Sequence, residues 1–366
     1  MTKSVDISHL ARSQSERSEM IADRGMRSML AICTAILVFA AMQAAADLLA
    51  PIACAIFAVA VAWPLQRAPQ ARIPKLIALA VTILVTVVIV ITLGSMIVWG
   101  VSRVGYWLVG NAARFQSLYQ QKADWLAQHE IYIGSLAVEH FNISWLIRLF
   151  QEVTVRLQGF VSFVLVAFIF LLLGLLEVDT YRDKFAGLTN REAGQVVLRA
   201  GTATAAKFRR YMLVRTLMSI MTGVAVWGIA RLAGLDLAEE WGVIAFALNY
   251  IPFIGPLFAT VLPTLLAMAQ FESVQVAVTV FLCLNLIQFI IGSYLEPRIA
   301  GATLALSPFI VLFAVFFTSF LWGIAGAFIG VPLVIAAVTF CAHVPSGAWI
   351  ADLLAASARP SNREAG

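Results

Sequence analysis

Residues 299–351 read IAGATLALSPFIVLFAVFFTSFLWGIAGAFIGVPLVIAAVTFCAHVPSGAWIA, a run of 53 residues without an Asp, Glu, Lys or Arg. One bilayer crossing needs about 20 apolar residues, so the run is too long for one crossing and long enough for two crossings or a broken helical hairpin. Prolines and glycines interrupt it at 307–308, 322–323 and 330–332. Because irregular backbone inside a bilayer must be covered by protein or water, the run predicts a membrane-embedded unit with internal breaks.

A second charge-free run, residues 241–271, repeats this pattern over 31 residues. It is interrupted by the sequence NYIPFIGP at 249–256. The run is too short for two full crossings of about 20 residues each, so it predicts a hairpin that turns at the interruption. Interrupted spans at two places indicate a transport site.

The composition is that of a polytopic membrane protein. Hydrophobic residues make up 61% of the chain and charged residues 12%, with a mean hydropathy of +0.90, whereas soluble domains carry roughly 25% charged residues. The four cysteines and four histidines show no metal-ligand or disulfide spacing, and the chain contains no nucleotide-binding or hydrolase motif. The sequence therefore predicts no cofactor, no metal site, no catalytic residue, no nucleic-acid partner and no enzymatic activity.

The charge-free segments predict an all-α polytopic membrane protein with about eight transmembrane helices, including a broken or re-entrant hairpin, plus amphipathic helical connectors. The segments are 28–46, 48–66, 76–102, 157–176, 216–230, 241–271, 273–295 and 299–351. The predicted order is a cytoplasmic tail in 1–27, three spans in 28–102, an extracytoplasmic amphipathic segment in 103–156, a fourth span in 157–178, a basic cytoplasmic segment in 179–215, a C-terminal transmembrane region with Pro/Gly-broken hairpins in 216–351, and a cytoplasmic tail in 352–366.

The basic residues orient these spans. Residues 66–75 carry three basic residues and no acid, and residues 179–215 carry eight basic residues against three acids. Both loops are predicted to be cytoplasmic by the positive-inside rule, which places the N- and C-termini inside an inner (cytoplasmic) membrane and residues 103–156 outside. Apolar residues recur at helical spacing in 115–126 and predict an amphipathic helix, either lying on the membrane or neighbouring spans or forming a cap over a solute.

The first candidate pathway residues lie at the interruption of 241–271: Asn249, Pro252, Gly255 and Pro256. Proline removes a backbone donor and glycine admits non-helical backbone, so freed carbonyls there can face a solute. The alternative is a kink whose freed backbone groups are satisfied by neighbouring helices.

The second group of candidates follows the span 273–295. Asn285, Gln288 and Glu296 are spaced to form a polar stripe on nearly one helix face, which should contact protein or a water-filled path. Hydrogen bonding between helices is the alternative, and Glu296 is expected to pair with Arg298 across Pro297. The basic cluster that ends at Arg215 is explained by anchoring and anionic lipid. The remaining candidates mark the breaks of the last run: Ser307, Pro308, Gly330 and Pro332.

Five short motifs carry a resemblance to a known family. They are NYIPFIGP at 249–256, LEPRIAG at 295–301, LSP at 306–308, LWGIAG at 321–326 and GVP at 330–332. In order and spacing the chain resembles the AI-2E (autoinducer-2 exporter) family over nearly its whole length. The resemblance implies an inner-membrane secondary transporter with about eight spans, assembled as a homo-oligomer, a pentamer, that either exports a quorum-sensing signal or exchanges sodium or lithium for protons.

The two broken runs also resemble each other, since FIGPL at 253–257 is echoed by FIGVPL at 328–333. If the runs enter from opposite sides, they form an inverted pair that favours an elevator or rocking carrier.

The carboxylates distinguish the competing functions, because none lies in the middle of a predicted span. The residues therefore favour a carrier for a small, polar, mostly uncharged solute over a cation/proton antiporter. An intramembrane enzyme or scaffold is the third alternative. The predicted partners are the solute, a coupled ion, membrane lipid and further copies of the chain.

Overall fold

The computed structural model of the protein describes residues 7–70, 73–111, 114, 117, 143–301, 306–344 and 347–354. These residues form a succession of helices, which confirms the predicted fold class. In chain order they are α1 (Ile7–Ala44), α2 (Ala46–Gln70), α3 (Lys75–Gly110), α4 (Ile143–Ala186), α5 (Arg191–Leu232), α6 (Ala238–Leu248), α7 (Ile254–Phe271), α8 (Val274–Gln288), a π-helix (Phe289–Leu295), α9 (Glu296–Ala300), α10 (Pro308–His343) and α11 (Ala348–Leu354).

Within the described ranges, eight helical segments are long and apolar enough to cross a membrane. They are Met26–Ala44, Ala46–Pro64, Lys75–Gly110, Val161–Ala186, Arg191–Leu232, Ile254–Phe271, Val274–Ala300 and Pro308–His343. Each corresponds to one charge-free segment of the sequence, so the expected number of about eight spans is confirmed.

The described part of the chain divides into two compact units between residues 49 and 50. The first unit consists of α1 and the start of α2. Its candidate span, Met26–Ala44, exposes large apolar side chains such as Ile36 and Leu37. This exposure suits a helix whose surroundings are lipid tails, which are as apolar as the side chains themselves.

Helix α5 is one uninterrupted helix of 42 residues, about 63 Å long. It begins at Asn190, whose side-chain oxygen accepts a hydrogen bond from the backbone N–H of Ala193 at 3.1 Å. The sequence prediction divides this stretch at residue 215 into a cytoplasmic segment and a span, and the structure carries one helix across the division. A helix longer than the hydrocarbon core of about 30 Å extends beyond it, so the basic and the apolar residues share one helix.

Helices α6 and α7 form the hairpin expected in 241–271. Helix α6 has only 11 residues and ends at Leu248, and α7 begins at Ile254. Between them Phe253 adopts φ 63°, the left-handed region that a side chain seldom occupies. A Cβ atom on Gly255 would overlap the carbonyl oxygen of Leu248, so the absence of a side chain lets the two arms meet directly after the turn.

Helix α10 is a second hairpin. At Trp322 and Gly323 the backbone leaves helical geometry. The hydroxyl of Thr318 donates to the carbonyl of Gly326 at 2.6 Å, and a Cβ on Gly330 would lie 3.0 Å from the carbonyl oxygen of Ala314. Residues 314 and 330 would be about 24 Å apart in a straight helix, so the chain reverses direction at the break.

The lengths of the two arms of α10 bear on the two arrangements that the sequence leaves open. The first arm, residues 308–321, is about 21 Å long and the second, residues 324–343, is about 30 Å long. Only the second reaches the length of about 20 residues that a full crossing needs. The arm lengths favour the hairpin with a short first arm, and its re-entrant placement in the membrane stays a prediction.

Two sets of hydrogen bonds and ion pairs between helices and loops share no residue. The first set is Lys75–Asp179 (3.1 Å), Arg209 to the carbonyl of Ala60 (3.4 Å), Arg210 to the carbonyl of Ile299 (2.6 Å) and Arg215–Glu296 (3.2 Å). The second set is Arg103–Glu240 (3.0 Å), Arg114–Glu272 (3.2 Å), Arg231–Glu239 (3.8 Å) and Trp107 to Asp236 (3.3 Å). Every member of the first set has a residue in 179–215, which the sequence predicts to be cytoplasmic, and three of the four members of the second have a residue in 103–156, which it predicts to be extracytoplasmic.

The segment 103–156 is described only at its ends. Helix α3 continues to Gly110 and α4 begins at Ile143, so both ends are helical continuations of neighbouring spans. Most of the amphipathic helix expected in 115–126 lies outside the described residues.

Candidate functional site

The elbow between α6 and α7 is held against α5 by two side-chain hydrogen bonds. The amide of Asn249, which is buried, donates to the hydroxyl of Ser219 at 3.3 Å. The hydroxyl of Tyr250 donates to Thr216 at 3.0 Å. Polar groups inside a membrane are costly unless they find partners, so these bonds fix the elbow to one turn of α5.

The same turn of α5 carries an ion pair with a buried arginine and a half-buried glutamate. Nη1 of Arg215 lies 3.2 Å from Oε2 of Glu296, at the start of α9. The arginine side chain is 8% exposed and that of the glutamate 32%. The guanidinium also lies 6.0 Å from the ring centroid of Tyr211, one turn earlier on α5, within the range of a cation–π contact.

The expected pairing of Glu296 with Arg298 is wrong. The Arg298 guanidinium instead stacks over the ring of Tyr294, 4.0 Å from its centroid, on the exposed side of α9. Residues 296 and 298 are two positions apart on a helix and point in different directions, whereas α5 presents Arg215 directly to Glu296. The prediction that Arg215 belongs to an anchoring cluster is corrected at the same time, because its charge is buried against protein.

A π-helix, Phe289–Leu295, precedes Glu296 and sets its position. Pro297 follows and has no backbone N–H, so the hydrogen bond that an α-helix would direct to residue 293 is missing. The backbone N–H of Glu296 bonds to the carbonyl of Ile291, five residues back. Single π-turns are frequent at functional sites because the wider turn re-aims the side chains around it.

Four buried polar atoms near this turn have no hydrogen-bond partner within the described part of the chain. They are Oη of Tyr211, Nε of Arg215, Oγ1 of Thr222 and Nε2 of Gln288. The first three lie on one face of α5, at spacings of four and seven residues. Because Arg215 contacts Glu296 and Met218 lies in one apolar cluster with Ile291, α5 and the 288–296 segment run antiparallel.

The second hairpin contacts the elbow of the first. The rings of Tyr250 and Phe328 lie 6.3 Å apart. Ile254 packs against the cluster that contains Ile329 and Val331, in which the second arm of α10 is buried. The motifs FIGPL and FIGVPL are therefore neighbours in space.

The structure separates the predicted pathway residues into two groups. Asn249 and Glu296 contact α5, and the buried Pro252, Gly255, Gly330 and Pro332, with the half-buried Pro256, form the packing of the two hairpins. Gln288 is half-buried at the end of α8, and its amide nitrogen has no partner among the described residues. The others lie apart: Asn285 is exposed and donates to the carbonyl of Phe281 on its own helix, Pro297 and Arg298 are exposed, and Ser307 and Pro308 begin α10. The stripe expected from 285 to 296 is thus divided, because the π-helix changes the angular register between Asn285 and Glu296.

Sequence reasoning missed the residues of α5 that connect these groups: Arg215, Thr216 and Ser219. A usable signal was present, because a charge and a hydroxyl recur at i and i+4 beside an apolar segment. The prediction of 216–230 as a charge-free span did not consider the polar face of α5. No group of His, Cys, Asp and Glu side chains with the arrangement of a metal site occurs among the described residues.

Two broken helical hairpins packed against a polar turn of a long helix define a polytopic α-helical membrane protein of the transporter class. The chain belongs to the AI-2E family transporters, whose sequence model matches residues 29–346. It is similar to the AI-2 transport protein TqsA of Escherichia coli (strain K12), with 26% identity over 92% of this chain and 97% of that protein. The putative transport protein YhhT of the same strain is 26% identical over 93% of this chain and 97% of its own. A putative transport protein of Borreliella burgdorferi is 29% identical over 56% of this chain and 57% of its own.

Proposed function

We propose that this protein is an inner-membrane secondary transporter that exports a small polar solute, such as a quorum-sensing signal, by a carrier mechanism. The observation that carries the proposal is the convergence of the elbow, through Asn249 and Tyr250, and of Glu296 on one turn of α5. Polar groups assembled beside interrupted helices inside a membrane are typical of solute sites. The name of the similar TqsA, an AI-2 transport protein, supports a signal molecule as the solute.

The packing of the two hairpins supports a carrier rather than an open channel. The Tyr250 and Phe328 rings and the apolar cluster around Ile329 fill the space between the elbow and α10. In this conformation these apolar groups block access to the polar turn of α5 from the side of α10. A solute can pass only if the hairpins move relative to α5, which is the motion that alternating access requires.

The alternative, a sodium(lithium)/proton antiporter, needs a carboxylate that exchanges a proton for a metal ion. Glu296 is the carboxylate that contacts the polar turn of α5, and its partner Arg215 keeps a permanent positive charge 3.2 Å away. That charge repels a metal cation, so the geometry favours the solute carrier.

Reconstitution into proteoliposomes tests the proposed function. We expect saturable efflux of a solute from a panel of polar metabolites, accelerated by the same solute on the opposite side, since counterflow is the property of a carrier. Linear, non-saturating flux would indicate a channel. Proton release driven by sodium or lithium, without solute movement, would establish the antiporter instead.

The sidedness is also a prediction. We propose cytoplasmic N- and C-termini, because the basic loops 66–75 and 179–215 are expected to stay inside. In a variant whose four cysteines are replaced by serine, Ser117→Cys should react with an impermeant maleimide in intact spheroplasts, and Gln195→Cys should react only after lysis. Both positions are exposed, so accessibility does not bias the comparison. The reverse labelling pattern would invert the whole topology.

A further inference from the structure

Arg215 keeps a permanent charge on α5, at the boundary that the sequence predicts between the basic segment 179–215 and the span that follows it. Its side chain is buried against protein. A buried arginine needs a counter-ion at all times, because its guanidinium does not lose its proton. The residue therefore marks a position where the protein always holds a negative charge.

The two partners of the ion pair are not equivalent. Arg215 is 8% exposed, whereas Glu296 is 32% exposed. If the pair separates, the carboxylate can be hydrated, but the guanidinium stays buried and must receive another anion. The π-helix before Glu296 supplies a turn whose hydrogen bonding is already altered, so α9 can shift without breaking a regular helix.

The Arg215 guanidinium keeps a donor that the described residues do not satisfy. Glu296 reaches Nη1 of the guanidinium, whereas Nε of the same side chain is buried without a partner among the described residues. The hydroxyl of Tyr211, one turn earlier on α5, can add a donor or an acceptor beside it. Such a set satisfies a ligand that carries several acceptor oxygens and a negative charge.

We propose that Arg215 binds an oxyanion of the transported solute and that Glu296 is the resident counter-ion which this group replaces. The solute class is a small organic anion, a carboxylate or a phosphate ester. The statement that the anion is transported rests on the proposed function. The statement that Arg215 binds an anion does not depend on it. It replaces the mostly uncharged solute favoured by the sequence with an anionic one.

Binding to the purified protein in detergent tests the inference without any need for transport. The probes are lactate, malate and glycerol phosphate at constant ionic strength, with lactamide as the neutral counterpart of lactate, and the readouts are calorimetric binding and thermal stabilisation. We expect at least one anion to bind and lactamide not to bind. Glu296→Gln should tighten anion binding about tenfold, because the competing carboxylate is gone.

The matched variant is the double substitution Arg215→Gln with Glu296→Gln, which keeps a neutral hydrogen-bonded pair and so avoids a stranded buried charge. It should stay folded and lose anion binding, whereas Arg298→Gln, which removes an exposed charge nearby, should bind as the parent does. Equal anion binding by the double variant and the parent, weaker binding in Glu296→Gln, or no anion binding by the parent would each overturn the inference. Anion binding without flux in proteoliposomes would support the site and refute the proposed function alone.

Discussion

We expect Gly255→Ala to reduce transport to background. A Cβ atom at this position would overlap the carbonyl oxygen of Leu248, and the contacted atom is backbone, which cannot rotate away. The two arms of the hairpin must therefore separate, and the elbow that places Asn249 and Tyr250 against α5 moves with them. Overpacking of this kind costs about 1–3 kcal/mol, and a shift of the elbow removes its hydrogen bonds as well. Solute flux per protein in proteoliposomes, with oligomer and membrane levels measured in parallel, checks the result.

Gly228→Ala is the matched control for Gly255→Ala. Gly228 lies inside α5, and a Cβ there meets no atom within 4 Å. Alanine in a helix interior stabilises by about 0.5–1 kcal/mol relative to glycine, so flux should match that of the parent. If Gly255→Ala transports at the normal rate, Gly255 serves only ordinary packing, and the elbow is not part of the transport mechanism.

The sequence predicted the spans and the two breaks because both depend on local composition. Charge-free runs of sufficient length cross membranes whatever their neighbours are, and the prolines and glycines near 252–256 and 322–332 interrupt helices by their own stereochemistry. The carbonyl that Gly255 approaches belongs to the other arm of the hairpin. Its position depends on the angle of the turn, which the composition does not fix.

The partner of Glu296 could not be predicted from neighbouring residues, because it depends on helix packing. Arg298 is close in sequence, but Arg215, 81 positions away, is the residue that the packing of α5 against α9 brings into contact. A long-range pair of this kind depends on how two helices align, and one sequence alone contains no information about that register. The same limit concealed the role of Ser219 and Thr216, whose hydroxyls gain meaning only when the elbow is placed beside them.

The ion pair between Arg103 and Glu240 is expected to show a strongly unequal response to removal of its two partners. The glutamate side chain is 3% exposed and the arginine 61%, with Nε of Arg103 3.0 Å from the carboxylate. Arg103→Gln leaves a buried carboxylate without its counter-ion and should destabilise the protein by about 3 kcal/mol or more. Glu240→Gln leaves an exposed guanidinium that water can solvate, so its cost should be clearly smaller.

The neighbouring pair Arg114–Glu272 provides the control, because both of its side chains are exposed and the distance between them, 3.2 Å, is similar. Arg114→Gln should cost less than about 1 kcal/mol. Denaturant titration of the protein in detergent gives the differences, and the double variant Arg103→Gln with Glu240→Gln should recover most of the stability that Arg103→Gln loses. Equal losses for Arg103→Gln and Arg114→Gln would mean that Glu240 finds water or another partner. In that case α3 would not depend on this pair for its attachment to α6, the helix that leads into the elbow.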